Sequence, residues 1–396
     1  MLTSAFVVHK TALVTMKTQA DPTFGRTAGL PSSTIRAGII GAGFIGEVHA
    51  RAIRSAGATL SRVADGSADR STAAARRLGA DMGAASAQEL LASPDVDVVH
   101  ICTPNHLHAP LTRLALRAGK HVICEKPLAT DREDAQDLVR LADEAGVVAA
   151  VPFIYRYYPM IQEARAIVIG GTAGPVRLVH GSYLQDWLSR PDDHNWRVES
   201  ELGGRSRTFA DIGVHWCDLV EFVTGHRIVS LVAQLTTAVP KRAEHDGELA
   251  HAIFTEDAAT IMFTTDGGAT GCLVASQVSP GRKNRLWFSV DGSENSLAFD
   301  QEQPESLWLG SREQTTILIR GSESMSAEAR RLSVLPAGHP QGYQDCFNGF
   351  VADVYSGIAG EPQPGMPTFR DGLRAAELTE AVLTSATTRS WVEIPA

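Results

Sequence analysis

The chain has 396 residues, 44% of them hydrophobic and 20% charged, and a formal net charge of −9 at pH 7. That length exceeds what one hydrophobic core supports, so it predicts two domains, each able to bury a sizeable core. The acidic balance, offset by no basic block, excludes a dedicated nucleic-acid binder, and apolar stretches of strand size exclude a helical membrane span. Residues 1–33 carry one short apolar patch and then Pro, Gly, Ser and Thr. They read as a disordered leader and not as a signal peptide, with Met16 as an alternative start.

The apolar residues 35–40 run into Gly41-Ala42-Gly43-Phe44-Ile45-Gly46. A glycine pattern alone is weak, but here it stands between a strand-like and a helix-like run. Gly41 permits the tight turn, Gly43 lets the backbone approach a pyrophosphate, and Gly46 lets the following helix pack on the strand. The anion then meets free N–H groups at the helix start. A second strand, residues 58–64, ends at Asp65, near the spacing at which a carboxylate accepts from adenosine ribose hydroxyls. This predicts NAD and not NADP, because a 2′-phosphate would meet that charge. Arg62 or Arg70 would soften the repulsion.

Strand and helix alternate onward: helices over residues 47–56 and 68–78, and a buried strand over 97–102 ending in Thr103-Pro104-Asn105. A helix to residue 117, a strand over 121–124, a helix over 131–144 and a strand over 147–155 follow. The pattern predicts an α/β Rossmann domain, a doubly wound parallel sheet over residues 34–152. Ligands of such sheets bind beyond the carboxyl ends of the strands, where Thr103, Asn105 and Glu125-Lys126 fall. Beyond it, strands are expected over residues 176–183, 228–237, 258–265, 268–277, 285–290, 296–299 and 315–320. Asp266-Gly267-Gly268 and Asp291-Gly292 read as hairpin turns. Helices over 341–357 and 370–388 close an α+β domain, residues 153–396, with a large, mostly antiparallel open sheet.

Asp211-Ile212-Gly213-Val214-His215 lies in a helical pattern that places Asp211 and His215 four residues apart on one face. Asp211 would orient the imidazole, and a histidine is suited to take a proton from an alcohol as hydride leaves the same carbon. Alone, the two read more readily as a capping acid and a satisfied core histidine. Asp218 follows, but no further ligands at matching spacing support a metal site. Five cysteines, Cys102, Cys124, Cys217, Cys272 and Cys346, are scattered without C-x-x-C spacing. They read as reduced core thiols of a cytosolic protein, with neither a zinc nor a disulfide pattern.

With Thr103-Pro104-Asn105-His106-Leu107-His108, Glu125-Lys126-Pro127 and Trp196-Arg197 added in order, the chain resembles the glucose–fructose oxidoreductase, inositol dehydrogenase and MocA (Gfo/Idh/MocA) family. The resemblance implies that Lys126 contacts the nicotinamide ribose and the reacting hydroxyl, while Asp211 and His215 complete a proton-handling set. It also implies that Phe44, Ile45, Asn105, Glu125, Trp196 and Arg197 help hold the cofactor, that His108 supports its loop, and that the protein is a homodimer or homotetramer associating through the open sheet.

One departure stands out. Where family members commonly carry small residues, Gly203-Gly204 is followed here by Arg205-Ser206-Arg207. Arg190, Arg197, Arg282, Lys283 and Arg285 add positive charge in segments able to face the same cleft, and arginine suits a bidentate grip on an anion. An anionic sugar is therefore one expectation. The alternative is that these cations pair with Asp186, Asp192, Asp193 and Glu199. Trp187 and Trp196 would stack on a sugar face or pack in the core, and Tyr155 is a substrate-side candidate. The reading is an NAD-dependent sugar dehydrogenase with Lys126, Asp211 and His215 as its catalytic set. The alternative is an NAD-dependent, redox-neutral glycosidase, and a third, a non-catalytic NAD sensor, is disfavoured by the presence of all three residues.

Overall fold

The computed structural model describes residues 35–243 and 251–395, so the expected leader over residues 1–33 lies outside the described residues. The first half builds β1 (Arg36–Ile40), α1 (Phe44–Ser55), β2 (Thr59–Ala64), α2 (Ala68–Leu78), β3 (Met82–Gly83), α3 (Ala87–Ala92), β4 (Val98–Ile101), α4 (His108–Arg117), β5 (His121–Cys124), α5 (Arg132–Ala145) and β6 (Ala149–Ala150). The six strands form one sheet in the order β3-β2-β1-β4-β5-β6, every pair parallel. Strand order reverses between β1 and β4, which opens a crevice at their carboxyl ends. All of β4 is buried, as a central strand covered on both faces must be.

Local chemistry sets the helix boundaries. Ser67 caps α2 through its hydroxyl, which accepts from the Arg70 N–H at 3.3 Å, and Gly79 ends that helix at φ +67°. Asp131 caps α5 by accepting from the Asp134 N–H at 2.8 Å, and Gly146 ends it in the same left-handed way.

The second half contains α6 (Pro159–Ile169), β7 (Val176–Leu184), α7 (Ser200–Gly203), a π-helical turn (Phe209–Gly213), α8 (Val214–Thr224) and β8 (Ile228–Thr236). It continues with β9 (Lys241–Arg242), β10 (His251–Ala252), β11 (Ala258–Thr265), β12 (Thr270–Ser276), β13 (Arg285–Gly292), β14 (Asn295–Asp300), β15 (Ser306–Ser311) and β16 (Thr315–Ile319). Last come α9 (Ala327–Leu332), α10 (Tyr343–Ile358), α11 (Phe369–Thr388) and β17 (Val392–Glu393). Nine strands form one sheet, β16-β15-β14-β13-β7-β12-β11-β8-β17, antiparallel except for the β12–β7 pair. Helices α6, α8 and α11 pack on one face of it, while α10 crosses back to lie on α1.

One expected strand is corrected. Of residues 147–155 only Ala149–Ala150 pairs in the sheet, and Ile154–Tyr157 turns as a short 3₁₀-helix. Pro152 has no N–H to give a ladder, so the strand stops before it. The turn redirects Tyr155 toward the crevice.

Candidate active site

A single cleft of about 1070 Å³ runs from the glycine turn to the inner ends of β7 and β13. At one end lies the start of α1. Gly41 sits at φ +95°, and a Cβ there would fall 2.6 Å from the Cys102 carbonyl oxygen, so only glycine fits. A Cβ on Gly46 would run into the carbonyl oxygen of Gly41. Gly43 differs, since a Cβ there meets nothing within 4 Å and would project into open space. No side chain caps α1, so its first-turn N–H groups are left for an anion. This cradle fits a dinucleotide pyrophosphate.

Asp65 lines the same end, bound by Arg70 at 3.0 Å. Arg70 thus takes the softening role, whereas Arg62 turns to Asp95 at 3.2 Å and does not line the cleft. Phe44 and Ile45 line the turn, with Phe44 largely exposed. Further in, Thr103, Asn105 and His108 line the wall. Asn105 donates to the Gly203 carbonyl at 2.9 Å, and the His108 ring lies between the carbonyls of Thr103 (2.8 Å) and Pro127 (2.7 Å), tying two loops together. Burial pushes the His108 pKa down against the pull of those carbonyls.

At the inner end the Lys126 ammonium donates to the Asp211 carboxylate at 2.6 Å and to the Asp211 carbonyl at 2.9 Å. Asp211 lies in the π-helical turn, and such turns concentrate at functional sites. Its second carboxylate oxygen accepts from Gln277 at 2.7 Å, and Arg197 stands 3.4 Å away, stacked on Trp196. Burial opposes the Asp211 charge, but Lys126 and Arg197 win and hold its carboxyl far below the usual range.

His215 lines the cleft, buried edge-on against the rings of Phe153 and Tyr155 at 5.6 and 5.0 Å. Its Nδ1 has no hydrogen-bond partner among the described residues. The expectation that Asp211 orients the imidazole is therefore corrected: the carboxylate is committed to Lys126 and Gln277, and aromatic packing sets the ring. Burial, reinforced by Lys126, keeps the His215 pKa well below the ordinary value, with Asp211 pulling weakly the other way. Asp218, three residues on, points elsewhere and pairs with Arg156; burial still pushes it up to about 7.

The wall facing these groups consists of neutral polar side chains: Tyr155, the expected substrate-side candidate, joined by Tyr183, Gln185 and Asn284, which sequence reasoning passed over. The Tyr155 and Tyr183 hydroxyls are hydrogen-bonded to each other. Tyr183 donates to Asn284 at 2.8 Å, and Gln185 donates to the same oxygen at 2.7 Å. Tyr183 near the end of β7 and Gln185 just past it are two residues apart and so project to one side, which is the signal that would have found them. Burial raises the Tyr155 hydroxyl to about 12 although Tyr183 and Asn284 bond it.

Three substrate-side candidates fall outside this cleft. Trp187 donates to Gln185 at 2.6 Å, so it braces the wall from behind and does not line the cleft. Arg205 is exposed on a neighbouring dent beside Pro127 and Thr130. Arg207 is buried and paired with Asp257, which also binds Arg242 at 2.9 Å. Of the remaining cations, Arg282 pairs with Glu302, Lys283 with Asp186 and Arg285 with Asp300, and neither these nor Arg190 line the cleft, whereas Arg197 does. A buried arginine needs its carboxylate more than a solvated substrate does.

Comparison with known proteins agrees with this geometry. Residues 35–153 match the family model described as "Oxidoreductase family, NAD-binding Rossmann fold", and residues 161–298 match the "GFO/IDH/MocA C-terminal domain". The levoglucosan dehydrogenase of Pseudarthrobacter phenanthrenivorans is 29% identical over 91% of this chain and 98% of its own. The 1,5-anhydro-D-fructose reductase of Ensifer adhaerens is 32% identical over 91% and 98%. A crystal structure of levoglucosan dehydrogenase in complex with NADH and levoglucosan superposes with a TM-score of 0.85 at 28% identity, over 91% of this chain and 100% of that one. With two domain models matched in tandem and relatives aligned almost end to end, the chain belongs to the Gfo/Idh/MocA family of NAD-dependent oxidoreductases.

Proposed function

We propose that the protein is an NAD-dependent dehydrogenase that oxidises a secondary hydroxyl of an uncharged sugar or polyol. The observation that carries this reading is the Lys126–Asp211 pair beside a buried, neutral His215, opposite a wall of tyrosine, asparagine and glutamine. The named relatives act on uncharged anhydrosugars. Around the reacting groups Lys126 and Arg197 are matched by Asp211 and Glu125, and neither Arg205 nor Arg207, which suggested an anionic ligand, lines the cleft.

Gly41, Gly43, Gly46, Asp65, Thr103, Asn105 and Glu125 would hold NAD, which supplies the hydride acceptor when bound. Lys126 has three N–H donors and spends two on Asp211, leaving one for the substrate hydroxyl. That donor stabilises negative charge developing on the oxygen, and His215 accepts the proton. Asp211 keeps Lys126 aimed. We assign residues 34–152 to cofactor binding and residues 153–396 to substrate binding and assembly, as a homodimer or homotetramer. A cytoplasmic setting suits five cysteines that form no disulfide, although Cys272 is exposed and not the core thiol expected. No helix among the described residues is long and apolar enough to cross a membrane.

The test is purified protein with NAD against neutral and anionic free sugars and their aryl glycosides, following NADH absorbance and aglycone release together. NADH accumulation with neutral sugars is expected. Aglycone release that requires NAD but leaves no NADH would replace the reading by a redox-neutral glycosidase, and turnover of anionic sugars alone would remove the neutral-substrate assignment.

A further inference from the structure

Behind the cleft, the fold buries a polar chain that the proposed chemistry does not use. The Tyr355 hydroxyl on α10 lies 2.8 Å from His100 Nε2 on β4. His100 Nδ1 lies 2.8 Å from His49 Nδ1 on α1, and His49 Nε2 lies 3.1 Å from a carboxylate oxygen of Glu125, just past β5. Tyr355, His100 and His49 are wholly buried, whereas Glu125 lines the cleft. Residues 255 apart in sequence are thus joined by a line of hydrogen bonds that ends beside Lys126.

The direction of the chain follows from counting protons. The hydroxyl of Tyr355 is buried, and its bond to His100 is the one hydrogen bond it makes among the described residues, so its proton points at His100 Nε2. His100, which burial keeps neutral, then carries its own proton on Nδ1 and donates to His49 Nδ1. The His49 proton therefore sits on Nε2 and points at Glu125. The other Glu125 oxygen accepts the Lys126 N–H at 3.1 Å, which fixes the carboxylate at both ends. Helix α10 supports the line a second time, since Phe347 packs edge-on against His49 at 5.0 Å and Gln344 donates to the Val48 carbonyl at 3.2 Å.

We propose that Tyr355, His100 and His49 form a one-way chain of hydrogen-bond donors that positions the Glu125 carboxylate in the cofactor cleft, so that α10 sets the geometry of the nicotinamide end. His49, His100 and Tyr355 are positioning residues that act through Glu125, as outer-shell partners fix the ligands of a metal. The proposal rests on the reading of the cleft as the NAD site.

Two measurements test it. The first needs no cofactor: side-chain ¹⁵N spectra of the apo protein, assigned with single His→Gln variants, are expected to show His49 protonated on Nε2 and His100 on Nδ1. The opposite tautomers would overturn the chain. The second is fluorescence titration of NADH into His49→Gln, which keeps a donor near the ε position, and His49→Asn, which does not reach Glu125. Asn is expected to weaken NADH about tenfold and Gln by no more than about twofold, at matched melting temperatures. Equal losses in both, or no loss in Asn, would show that His49 merely fills space. Wild-type protein that binds no NADH would refute the cofactor reading of the cleft and with it the role of Glu125, while the tautomer spectrum decides separately whether the chain exists.

Discussion

Lys126 and His215 divide the proton chemistry by their surroundings. Lys126 is held by a carboxylate and a carbonyl of one residue, so Lys126→Ala removes both the free donor and the charge that Asp211 balances. Steady-state assay of that variant is expected to show kcat lower by about 10²–10³-fold, with NADH affinity changed far less. His215 accepts a proton only while neutral, and burial depresses its pKa. kcat/KM for oxidation should therefore stay level from pH 8 to about 6.5, the ordinary histidine value, and fall only below it as the base protonates. A decline centred above that value would contradict a buried, depressed base. The same burial has a cost in stability. Below about pH 6.5 the unfolded chain takes up protons that folded His100 and His215 refuse, so each removes up to about 1.4 kcal/mol per pH unit until its folded pKa is reached. Denaturant unfolding at pH 7.5, 5.5 and 4.5 should show that fall, and stability unchanged across the window would mean that the rings are hydrated. At this scale the chain disclosed which residues do chemistry but not whom they touch. Lys126, Asp211 and His215 stand out by spacing, whereas the partners of Arg207 lie about fifty positions away, and nothing local distinguishes an arginine that faces a cleft from one paired in the core.

The glycine turn separates folding from binding within one element. Gly46→Ala drives a methyl into the Gly41 carbonyl, where backbone cannot yield cheaply, and should destabilise the protein by about 2 kcal/mol. Gly43→Ala meets open space at φ −73°, a conformation that alanine adopts freely, so its melting temperature should stay near wild type while NADH binding is lost. Thermal melts paired with NADH titration check both, and a Gly43→Ala protein that binds NADH normally would show that the backbone there does not approach the pyrophosphate. Two elements were legible to the residue: α2 and β11 span the stretches 68–78 and 258–265 expected for them. Elements without a plain pattern were not. The six residues of β15 carry a glycine and no clean alternation, α6 opens on a proline after an apolar run, and the π-helical turn that aims Asp211 at Lys126 reads locally as ordinary helix.

At the scale of the whole molecule, the nine-stranded sheet has one face covered by helices and one bare. An antiparallel sheet tolerates solvent on one face when the outward residues are polar. Here Leu178, Met262, Val274, Trp308, Ile317 and Ile319 are all exposed, and Trp308 and Ile317 are cross-strand neighbours. An apolar surface of this kind marks an interface, and a flat sheet face is broad enough to approach the roughly 1,600 Å² of a stable complex. None of these residues lines the cleft, so assembly through the bare face leaves the cleft lining untouched. Trp308→Glu combined with Ile317→Glu places like charges opposite their copies in a symmetric contact, where they repel and lose hydration. Sedimentation velocity should then show the wild-type oligomer replaced by a smaller species, with NADH affinity within about twofold because no cleft residue has changed. If the double variant sediments as the wild type does, assembly uses another surface and the exposed stripe needs a different partner. If the wild type is itself a monomer, the face is bare in solution, and the proposed homodimer or homotetramer falls.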